Sequence, residues 1–346
     1  MIAPRRLGLL AAFALSVLSL SACNKAAEPP AQSNTVNFSI LPADNLATSQ
    51  AAWGPVIADM EKTTGLKIKP FYATNYTAMV EALRFKQTDL GWYSNFPGLE
   101  AVRRANGEVF ARTISSSGDD GYNSVIIVPA SSKTTLEDVL KCGKRFNFGI
   151  GDAKSTSGTL APMTYLFAPK EIRPETCFKT VRSANHQTNM LSVANNVIEV
   201  ATNNTTSLRL QKNREDADPK ASKVSDKIRV IWTSPRLPED PIIWRKDLDP
   251  AVKEKLRQFF LTYGQGDTPE AVRQRALLVK ISIAGFKPAN DGHLLPVREM
   301  EATELLQEAK SSKDPAKIAA AQKLYDAVKV DEAATQAKTG QPATAQ

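Results

Sequence analysis

The stretch FNFGIGDAKSTSGTL, residues 146 to 160, joins a short apolar strand to the start of a helix. FGIG ends the predicted strand, and Ser155, Thr156 and Ser157 follow just before an apolar run. Ser and Thr are favoured at helix starts because their side-chain oxygens accept hydrogen bonds from the first amides. Three in succession are more than one cap needs, so the turn predicts either a Ser/Thr-rich cap or a site for an anion.

The alternation of strand and helix continues on both sides of this turn. Before it, TVNFSIL and LKIKPFYA are predicted strands, and the segment between them has apolar residues at helical spacing. After it, FKTVRSA and VIEVATN are predicted strands on either side of the helix HQTNMLSVANN. Short connections between alternating elements predict an α/β fold, in which two parallel-sheet blocks form two lobes around a cleft.

The first 22 residues have the pattern of a lipoprotein signal peptide. Two arginines precede an apolar run from 7 to 20, too short to span a bilayer, and Leu-Ser-Ala leads to Cys23. This resembles a bacterial lipobox, in which cleavage makes Cys23 the first residue and a lipid joins its thiol. Ordinary secretion with cleavage near Ala22 is the alternative. Residues 23–35 are then a polar tether, and we expect a periplasmic lipoprotein anchored to a membrane.

Composition excludes several other kinds of protein. The formal net charge is +8, but no basic cluster is interleaved with aromatic residues, so nucleic acid is excluded as a partner. Apart from Cys23, the cysteines are Cys142 and Cys177, which either form a disulfide in an oxidising compartment or stay as buried thiols. Their spacing does not suit a metal site, and no metal or other cofactor is expected.

Further candidate donors stand at other strand-to-helix turns. Tyr76 begins the second predicted helix, Tyr93 ends the third strand, and His186 begins the helix HQTNM. Ligands of open α/β sheets bind beyond the carboxyl ends of the strands, so we expect these side chains to meet the Ser-Thr-Ser turn. Neutral hydroxyl and amide donors there suit a tetrahedral oxyanion. Asp240, beside a predicted crossover between lobes, would face a cationic part of the ligand or a donor.

Two other functions use the same residues. In an enzyme, Ser155 or Ser157 would be the nucleophile and His186 its base. The sequence has no G-x-S-x-G elbow, P-loop or metal-ligand cluster, so we assign no catalytic residue. A ligand-sensing subunit that signals to a membrane partner would share the binding residues, and the sequence does not separate it from a transport receptor.

Five separated segments together resemble the PhnD-type periplasmic phosphonate-binding proteins of ABC importers. The similarity runs from about residue 36 to 298. The segments are MVEALRFKQTDLGWYSN, GDAKSTSGTLAP, SANHQTNMLSVANN, VATNNT and SPRLPEDPIIWRK. The resemblance implies a two-lobed type II periplasmic binding fold that closes on a small-molecule phosphonate, with an ABC permease and its ATPase as partners. Residues 36–124 and 236–300 would form lobe one, and residues 125–235 lobe two.

The resemblance also implies roles for the candidate residues. The Ser-Thr-Ser turn, Tyr76, Tyr93 and His186 would hold the phosphonate oxygens, and Asp240 would help to hold the amino group of 2-aminoethylphosphonate. Family members that prefer this ligand have a glutamate after NNT, where this chain has Thr206. Loss of a charge-assisted hydrogen bond is worth about 1.5–3 kcal/mol. Phosphite, methylphosphonate and phosphate are therefore alternative ligands.

The remaining segments are polar. QKNREDADPKASK, residues 211–223, is a predicted loop. Residues 301–346 are rich in Ala, Glu and Lys and predict a C-terminal helix that ends in a disordered tail. This helix either pairs with a second subunit in a homodimer or packs on its own lobe.

Overall fold

The computed structural model describes residues 34–218 and 220–339. The predicted signal peptide, Cys23, nearly all of the predicted tether and residues 340–346 of the predicted tail lie outside these ranges. Within them, no helix combines the length and the apolar character that crossing a membrane requires.

Strands and helices alternate through most of the chain. In chain order the strands are β1 (Thr35–Ile40), β2 (Lys67–Tyr72), β3 (Leu90–Trp92), β4 (Gly107–Ser115), β5 (Tyr122–Pro129), β6 (Asn147–Ile150), β7 (Thr180–Ser183), β8 (Val200–Asn204), β9 (Ile228–Leu237), β10 (Pro241–Arg245) and β11 (Ile283–Pro288). The α-helices are α1 (Leu46–Thr64), α2 (Tyr76–Arg84), α3 (Asn95–Arg104), α4 (Leu136–Leu140), α5 (Pro174–Cys177), α6 (His186–Ala194), α7 (Thr205–Ala217), α8 (Pro250–Thr262), α9 (Pro269–Val279), α10 (Leu295–Ser312) and α11 (Pro315–Thr339). Two π-helical turns, Thr156–Leu160 and Met163–Phe167, follow β6.

The strands form two sheets, which we call the sheets of lobe one and lobe two. The lobe-one sheet has the order β11-β4-β10-β3-β1-β2, and the lobe-two sheet has the order β7-β6-β8-β5-β9. Strands β1, β2 and β3 pair in parallel, as do β6, β7 and β8. The chain leaves the first sheet after β4 and returns to it as β10, which lies antiparallel between β3 and β4. The predicted two-lobed α/β fold is confirmed.

Each lobe has its own aromatic core. In lobe one, the Phe38 ring lies 5.4 Å from that of Trp53 and 6.2 Å from that of Phe260, in edge-to-face arrangements. In lobe two, Phe148 stacks on Phe178 at 4.2 Å. Each such buried side chain stabilises the fold by about 1.5–3 kcal/mol. Both sheets are therefore rigid supports for the turns at their strand ends.

A disulfide joins Cys142 to Cys177 beside the lobe-two core. It links the end of α4 to the end of α5 across 35 residues of sequence. The two cysteines therefore fasten the segment that contains β6 and the Ser-Thr-Ser turn.

The polar segment 211–223 differs from the prediction of a loop, because α7 continues through it to Ala217. Asn204 caps this helix, and its side-chain oxygen accepts a hydrogen bond of 2.7 Å from the Ser207 amide. Farther along, the buried Glu215 carboxylate accepts a bond of 2.8 Å from the Val224 amide. Polar side chains that satisfy one another here stabilise a helix that an apolar pattern does not reveal.

The C-terminal helices α10 and α11 pack against each other within one chain. Lys329 on α11 contacts Glu299 on α10 at 2.6 Å, and Arg298 contacts Asp331 at 3.1 Å. The Thr164 hydroxyl of the second π-helical turn donates to the carbonyl of Met300 on α10. Helix α10 therefore contacts the lobe-two segment that follows the Ser-Thr-Ser turn.

Candidate ligand site between the lobes

A cavity of about 60 Å³ lies between the two sheets. Residues that follow the carboxyl ends of β1, β2 and β3 border it from lobe one, and residues that follow β6, β7 and β8 border it from lobe two. Parallel strands of an open α/β sheet present their ligands at this edge. Five of the predicted site residues border the cavity: Tyr76, Ser157, His186, Thr206 and Asp240.

The Ser-Thr-Ser turn is shaped by a close contact between two glycines. The Gly151 amide donates to the Gly158 carbonyl at 2.9 Å, and a Cβ on Gly151 would lie 2.5 Å from the Gly158 Cα. Ser155 caps the first π-helical turn, since its hydroxyl accepts from the Gly158 amide at 2.9 Å. This contact turns the backbone sharply and leaves Ser157 at the cavity.

Ser155 and Thr156 are buried next to Ser157 in the chain but do not border the cavity. The Thr156 hydroxyl is 2.7 Å from the Ser94 hydroxyl and accepts a bond of 2.8 Å from the Phe96 amide, so it joins lobe two to lobe one. The amides of Thr156 and Ser157 begin the helical segment and have no intrahelical carbonyl to bind. They are the kind of donor that binds an anion.

His186 is a neutral imidazole at the cavity. Its Nε2 lies 3.4 Å from the Ser155 hydroxyl and 3.5 Å from the Ser157 hydroxyl. Burial lowers the pKa of His186 to about 4, and its Nδ1 has no hydrogen-bond partner within residues 34–218 and 220–339. A neutral ring carries one donor and one acceptor nitrogen, so it can donate one hydrogen bond to a bound oxyanion.

The structure places Tyr93 away from the cavity. Tyr93 is fully buried in the lobe-one core, where its hydroxyl lies 3.5 Å from the Met79 carbonyl. Its neighbours in sequence, Trp92 and Ser94, border the cavity instead. Adjacent residues of an extended chain point to opposite faces, so Tyr93 points away from the place where its neighbours meet the cleft.

Tyr122 is a second tyrosine at the cavity, and it was not among the candidates predicted from the sequence. It begins β5, directly after the chain crosses to lobe two, and it borders the cavity. Burial, followed by the charge of Asp240, raises the pKa of Tyr122 well above its usual range, so its phenol stays a hydrogen-bond donor. Tyr122 lies at a crossover between the lobes and not at a strand-to-helix turn, so the rule that ligands bind at such turns does not predict it.

Carboxylates occupy another side of the cavity. Asp44, Glu239 and Asp240 border it. Asp44 pairs with Arg214 at 2.7 Å, and one oxygen of Glu239 is buried without a hydrogen-bond partner among the described residues. The Trp92 side chain lies near Asp240 and opposes the rise in its pKa. Burial raises the pKa of Asp240 well above its usual range, and the negative charge of Glu239 raises it further. Burial therefore favours the neutral form of Asp240, and a cationic group beside it would favour the charged form.

The lobes contact each other around the cavity. Arg214 on α7 of lobe two reaches Asp44 of lobe one, and the neighbouring Asn45 amide donates to the Gln187 side chain at 2.9 Å. In the described part of the chain, no cluster of three or more His, Cys, Asp or Glu residues could hold a metal ion. The residues that border the cavity come from both lobes.

Comparison with known proteins gives a consistent family. A family model described as "ABC transporter, phosphonate, periplasmic substrate-binding protein" matches residues 38–294. The chain is 39% identical over 299 residues to the phosphonates-binding periplasmic protein of Escherichia coli K12, covering 86% of this chain and 85% of that protein. It is 24% identical over 265 residues to the phosphate-import protein PhnD of Mycolicibacterium smegmatis, covering 72% of this chain and 79% of that protein.

Solved structures agree with this fold. A binding protein component of an ABC phosphonate transporter from Pseudomonas aeruginosa aligns with a TM-score of 0.80 and 33% identity, covering 87% of this chain and 99% of that one. PhnD1 from Prochlorococcus marinus, solved with methylphosphonate, aligns with a TM-score of 0.63 and 19% identity, covering 77% and 97% of the two chains. The second alignment supports the fold alone.

Proposed function

We propose that this chain, which belongs to the family of periplasmic substrate-binding proteins of phosphonate ABC transporters, closes its two lobes on a phosphonate-type oxyanion and delivers it to the permease. Closure is a population shift that ligand contacts to both lobes drive. The observation that carries the proposal is a set of neutral donors from both lobes at one cavity. Tyr76 belongs to lobe one, and Ser157 and His186 belong to lobe two.

The phosphonate oxygens are held by hydroxyl, imidazole and amide donors. Ser157, Tyr76, Tyr122 and His186 supply side-chain donors, and the amides at the start of the π-helical turn supply backbone donors. Ser155 and Thr156 contribute through the shape of the turn and its contact with Ser94. Neutral donors suffice because an oxyanion has several lone pairs for them to satisfy.

The test is a calorimetric titration of the purified protein with methylphosphonate. Ser157→Ala should weaken binding by about tenfold or more, because it removes a hydrogen bond to a charged group. Ser132→Ala is the control, since its hydroxyl bonds Thr134 beyond the far end of β5. An unchanged dissociation constant in the Ser157 variant would refute this oxyanion site.

A receptor for phosphite, methylphosphonate or phosphate is the second candidate. Thr206 brings no charge to the cavity, which has a volume of only about 60 Å³. Titration of the same protein with these three anions and with 2-aminoethylphosphonate ranks them directly. A clear preference for phosphate or phosphite over every phosphonate would favour this candidate.

Catalysis is not part of the proposal. The distances of 3.4 and 3.5 Å from His186 Nε2 to the two serine hydroxyls are long for a nucleophile and its base. We expect no turnover of a phosphonate ester by the metal-free protein. A sensor role would use the same ligand contacts, and genes for an ATPase and a permease beside this one would favour transport.

A lipid on Cys23 would keep the receptor at a membrane. The support is the sequence Leu-Ser-Ala-Cys after a short apolar run, which is typical of lipoprotein signal peptides. Cys23→Ser should move the protein from the membrane fraction to the soluble periplasmic fraction. If the variant and the parent fractionate alike, the anchor is refuted.

A homodimer through the C-terminal helices is supported by apolar side chains on their surface. Leu305, Leu324 and Val330 are exposed on α10 and α11. Sedimentation analysis at micromolar concentration tests the proposal. A monomer at every concentration would leave these helices packed on their own chain only.

A further inference from the structure

The turn that joins α2 to β3 exposes an aromatic ring between two cations. Arg84, Phe85 and Lys86, which we call the RFK turn, are all exposed, and Phe85 is 65% exposed. The guanidinium of Arg84 lies 5.4 Å from the centre of the Phe85 ring. At the corresponding turn of lobe two, between α6 and β8, Val197 is 68% exposed, but its neighbours in sequence carry no charge. An apolar side chain flanked by lysine and arginine suits the boundary between water and lipid headgroups.

The RFK turn lies at the amino-terminal edge of the lobe-one sheet. Strands β1 and β3 pair in parallel, with Phe38 opposite Leu90, so the turn before β3 and the segment before β1 lie at the same edge. A direct contact joins the two strands there, since the Asn37 amide donates to the Asp89 carboxylate at 2.8 Å. The ligand cavity lies beyond the opposite, carboxyl-terminal ends of these strands. The edge that holds the RFK turn is therefore also the edge at which the described chain begins.

Further cations lie at this edge. Lys67 begins β2 opposite Thr35 of β1, and Lys246 follows β10, where its amide donates to the Asn106 carbonyl at 2.8 Å. Both lysines are exposed and form no ion pair within residues 34–218 and 220–339. Acids at this edge pair with neighbouring cations, namely Glu81 with Arg84 and Arg104, Asp89 with Arg245, Asp247 with Lys86 and Arg245, and Glu108 with Lys253. These groups together carry more positive than negative charge.

The chain between Cys23 and β1 is short. Residues 24–33 separate Cys23 from Asn34, the first described residue. A stretch of about 10 residues spans at most about 35 Å when it is fully extended. A lipid on Cys23 would therefore keep the amino-terminal edge of lobe one within that distance of a bilayer. Anionic headgroups attract lysine and arginine side chains that lie this near to a membrane.

We propose that the RFK turn, with Lys67 and Lys246 beside it, is a docking surface for anionic phospholipid headgroups. The cations bind the lipid phosphates, and the Phe85 ring enters the headgroup layer between them. The lipid-anchored protein then lies with this edge of lobe one against the bilayer, which leaves the cavity at the opposite edge of the sheet uncovered. The inference rests on the proposed anchor for the nearness of the bilayer, and it does not depend on the ligand.

The test uses the purified Cys23→Ser protein, which has no site for a lipid, and flotation with vesicles. We expect it to bind vesicles of phosphatidylglycerol mixed with phosphatidylcholine and not vesicles of phosphatidylcholine alone. Adding Phe85→Ser and Lys86→Gln should weaken binding by about tenfold or more, because it removes both a cation and the inserted ring. A parent that binds both vesicles equally, or neither, would overturn the proposal.

The matched control carries Val197→Ser and Lys179→Gln in lobe two. It removes an exposed apolar side chain and one exposed cation, as the RFK variant does, and it should bind anionic vesicles as the parent does. Equal losses in the two variants would show that net charge alone causes the binding, and would overturn the proposal. Thermal unfolding and titration with methylphosphonate should give parent values for both variants, because neither set of changes borders the cavity.

A fluorescent label gives the position of the contact and leaves Phe85 in place. With Cys23 replaced and Cys142 joined to Cys177, a new cysteine supplies the only free thiol of this three-cysteine chain. Gln87→Cys places an environment-sensitive dye beside the RFK turn, and Asn195→Cys places it at the exposed turn of lobe two. Anionic vesicles should shift the emission to the blue at position 87 only, and a shift at both positions or at neither would contradict the proposal. These measurements need no ligand, so a failure to bind phosphonates would refute the proposed function and leave this inference standing.

Discussion

The buried imidazole of His293 donates a hydrogen bond to the Glu239 carbonyl, in the segment that contains the cavity acids Glu239 and Asp240. Burial lowers its pKa to about 4 from an ordinary value of 6.5. The unfolded chain therefore binds a proton below about pH 6.5 that the folded protein refuses until about pH 4. The contribution of His293 to the free energy of unfolding is fully present above this range and is lost as the pH falls through it.

His293→Gln should therefore reduce the loss of stability between pH 7 and pH 5 by about 1–2 kcal/mol. Glutamine keeps a donor for the Glu239 carbonyl but does not titrate. Urea unfolding at both pH values gives the difference for parent and variant. An identical pH dependence in the two proteins would show that His293 binds its proton at the same pH in the folded protein as in the unfolded chain.

Some of the residues at the cavity could be predicted from the sequence, and others could not. Ser157, His186 and Tyr76 follow strand ends, where ligands of open α/β sheets bind. The sequence therefore predicted that they would lie close together, and all three border the cavity. Tyr93 also lies at a strand end but does not border the cavity, because one step along an extended chain reverses the face. Tyr122 and Glu239 were missed because they lie at crossovers between the sheets, whose meeting depends on long-range packing and not on a local pattern.

The turn between β6 and the π-helical segment depends on the contact between Gly151 and Gly158. Gly151→Ala would place a Cβ 2.5 Å from the Gly158 Cα, and backbone cannot yield cheaply. Overpacking of this kind costs about 1–3 kcal/mol, and we expect methylphosphonate affinity to fall about tenfold or more as the turn moves. Gly54→Ala in α1 is the control, since its Cβ would meet nothing within 4 Å. Equal affinity in both variants would contradict a role for the turn geometry.

The disulfide belongs to the same block of elements but not to the cavity. Cys142→Ala with Cys177→Ala opens a closure of 35 residues, and the chain-entropy relation gives a loss of about 3–4 kcal/mol in the free energy of unfolding. Ligand affinity should stay unchanged, because neither cysteine borders the cavity. Urea unfolding and calorimetry on the same variant separate the two effects, and a stability equal to that of the parent would refute the estimate.

Helices and strands whose apolar residues recur at a regular spacing could be predicted from the sequence. Elements without such a spacing could not. The period of two in TVNFSIL matches β1, where Val36, Phe38 and Ile40 are buried on one face. The polar helix α7 lacks such a period, since it is stabilised by the Asn204 cap and the buried bonds of Glu215. The π-helical turns after Ser155 could not be read from the sequence either, because the contact between two glycines shapes that turn.

At the scale of the whole molecule, the site exists only where the lobes meet. Donors of lobe two, the acids at the crossover and Tyr76 of lobe one border one cavity because strand ends of both sheets face each other. The sequence predicted two α/β blocks, but their relative placement depends on the contacts between them. Two of these contacts involve charged or amide groups at positions 44, 45, 187 and 214.

The pair formed by Arg214 and Asp44 should slow the release of ligand. It joins α7 of lobe two to the loop after β1 at 2.7 Å, with side chains 28% and 16% exposed, so opening of the lobes must break it. Arg214→Met removes the charge and keeps most of the length. A partly exposed pair contributes about 1 kcal/mol, which predicts release of methylphosphonate about fivefold faster in stopped-flow displacement.

Lys212→Met is the matched control, because Lys212 pairs at 2.5 Å with Asp216 on the same helix and within the same lobe. It removes one positive charge from α7 and leaves every contact between the lobes in place. If both variants release ligand at the same rate, the effect belongs to the net charge of the helix and not to closure. If only Arg214→Met is faster, the ion pair holds the lobes together, and added salt should bring the parent towards the rate of the variant.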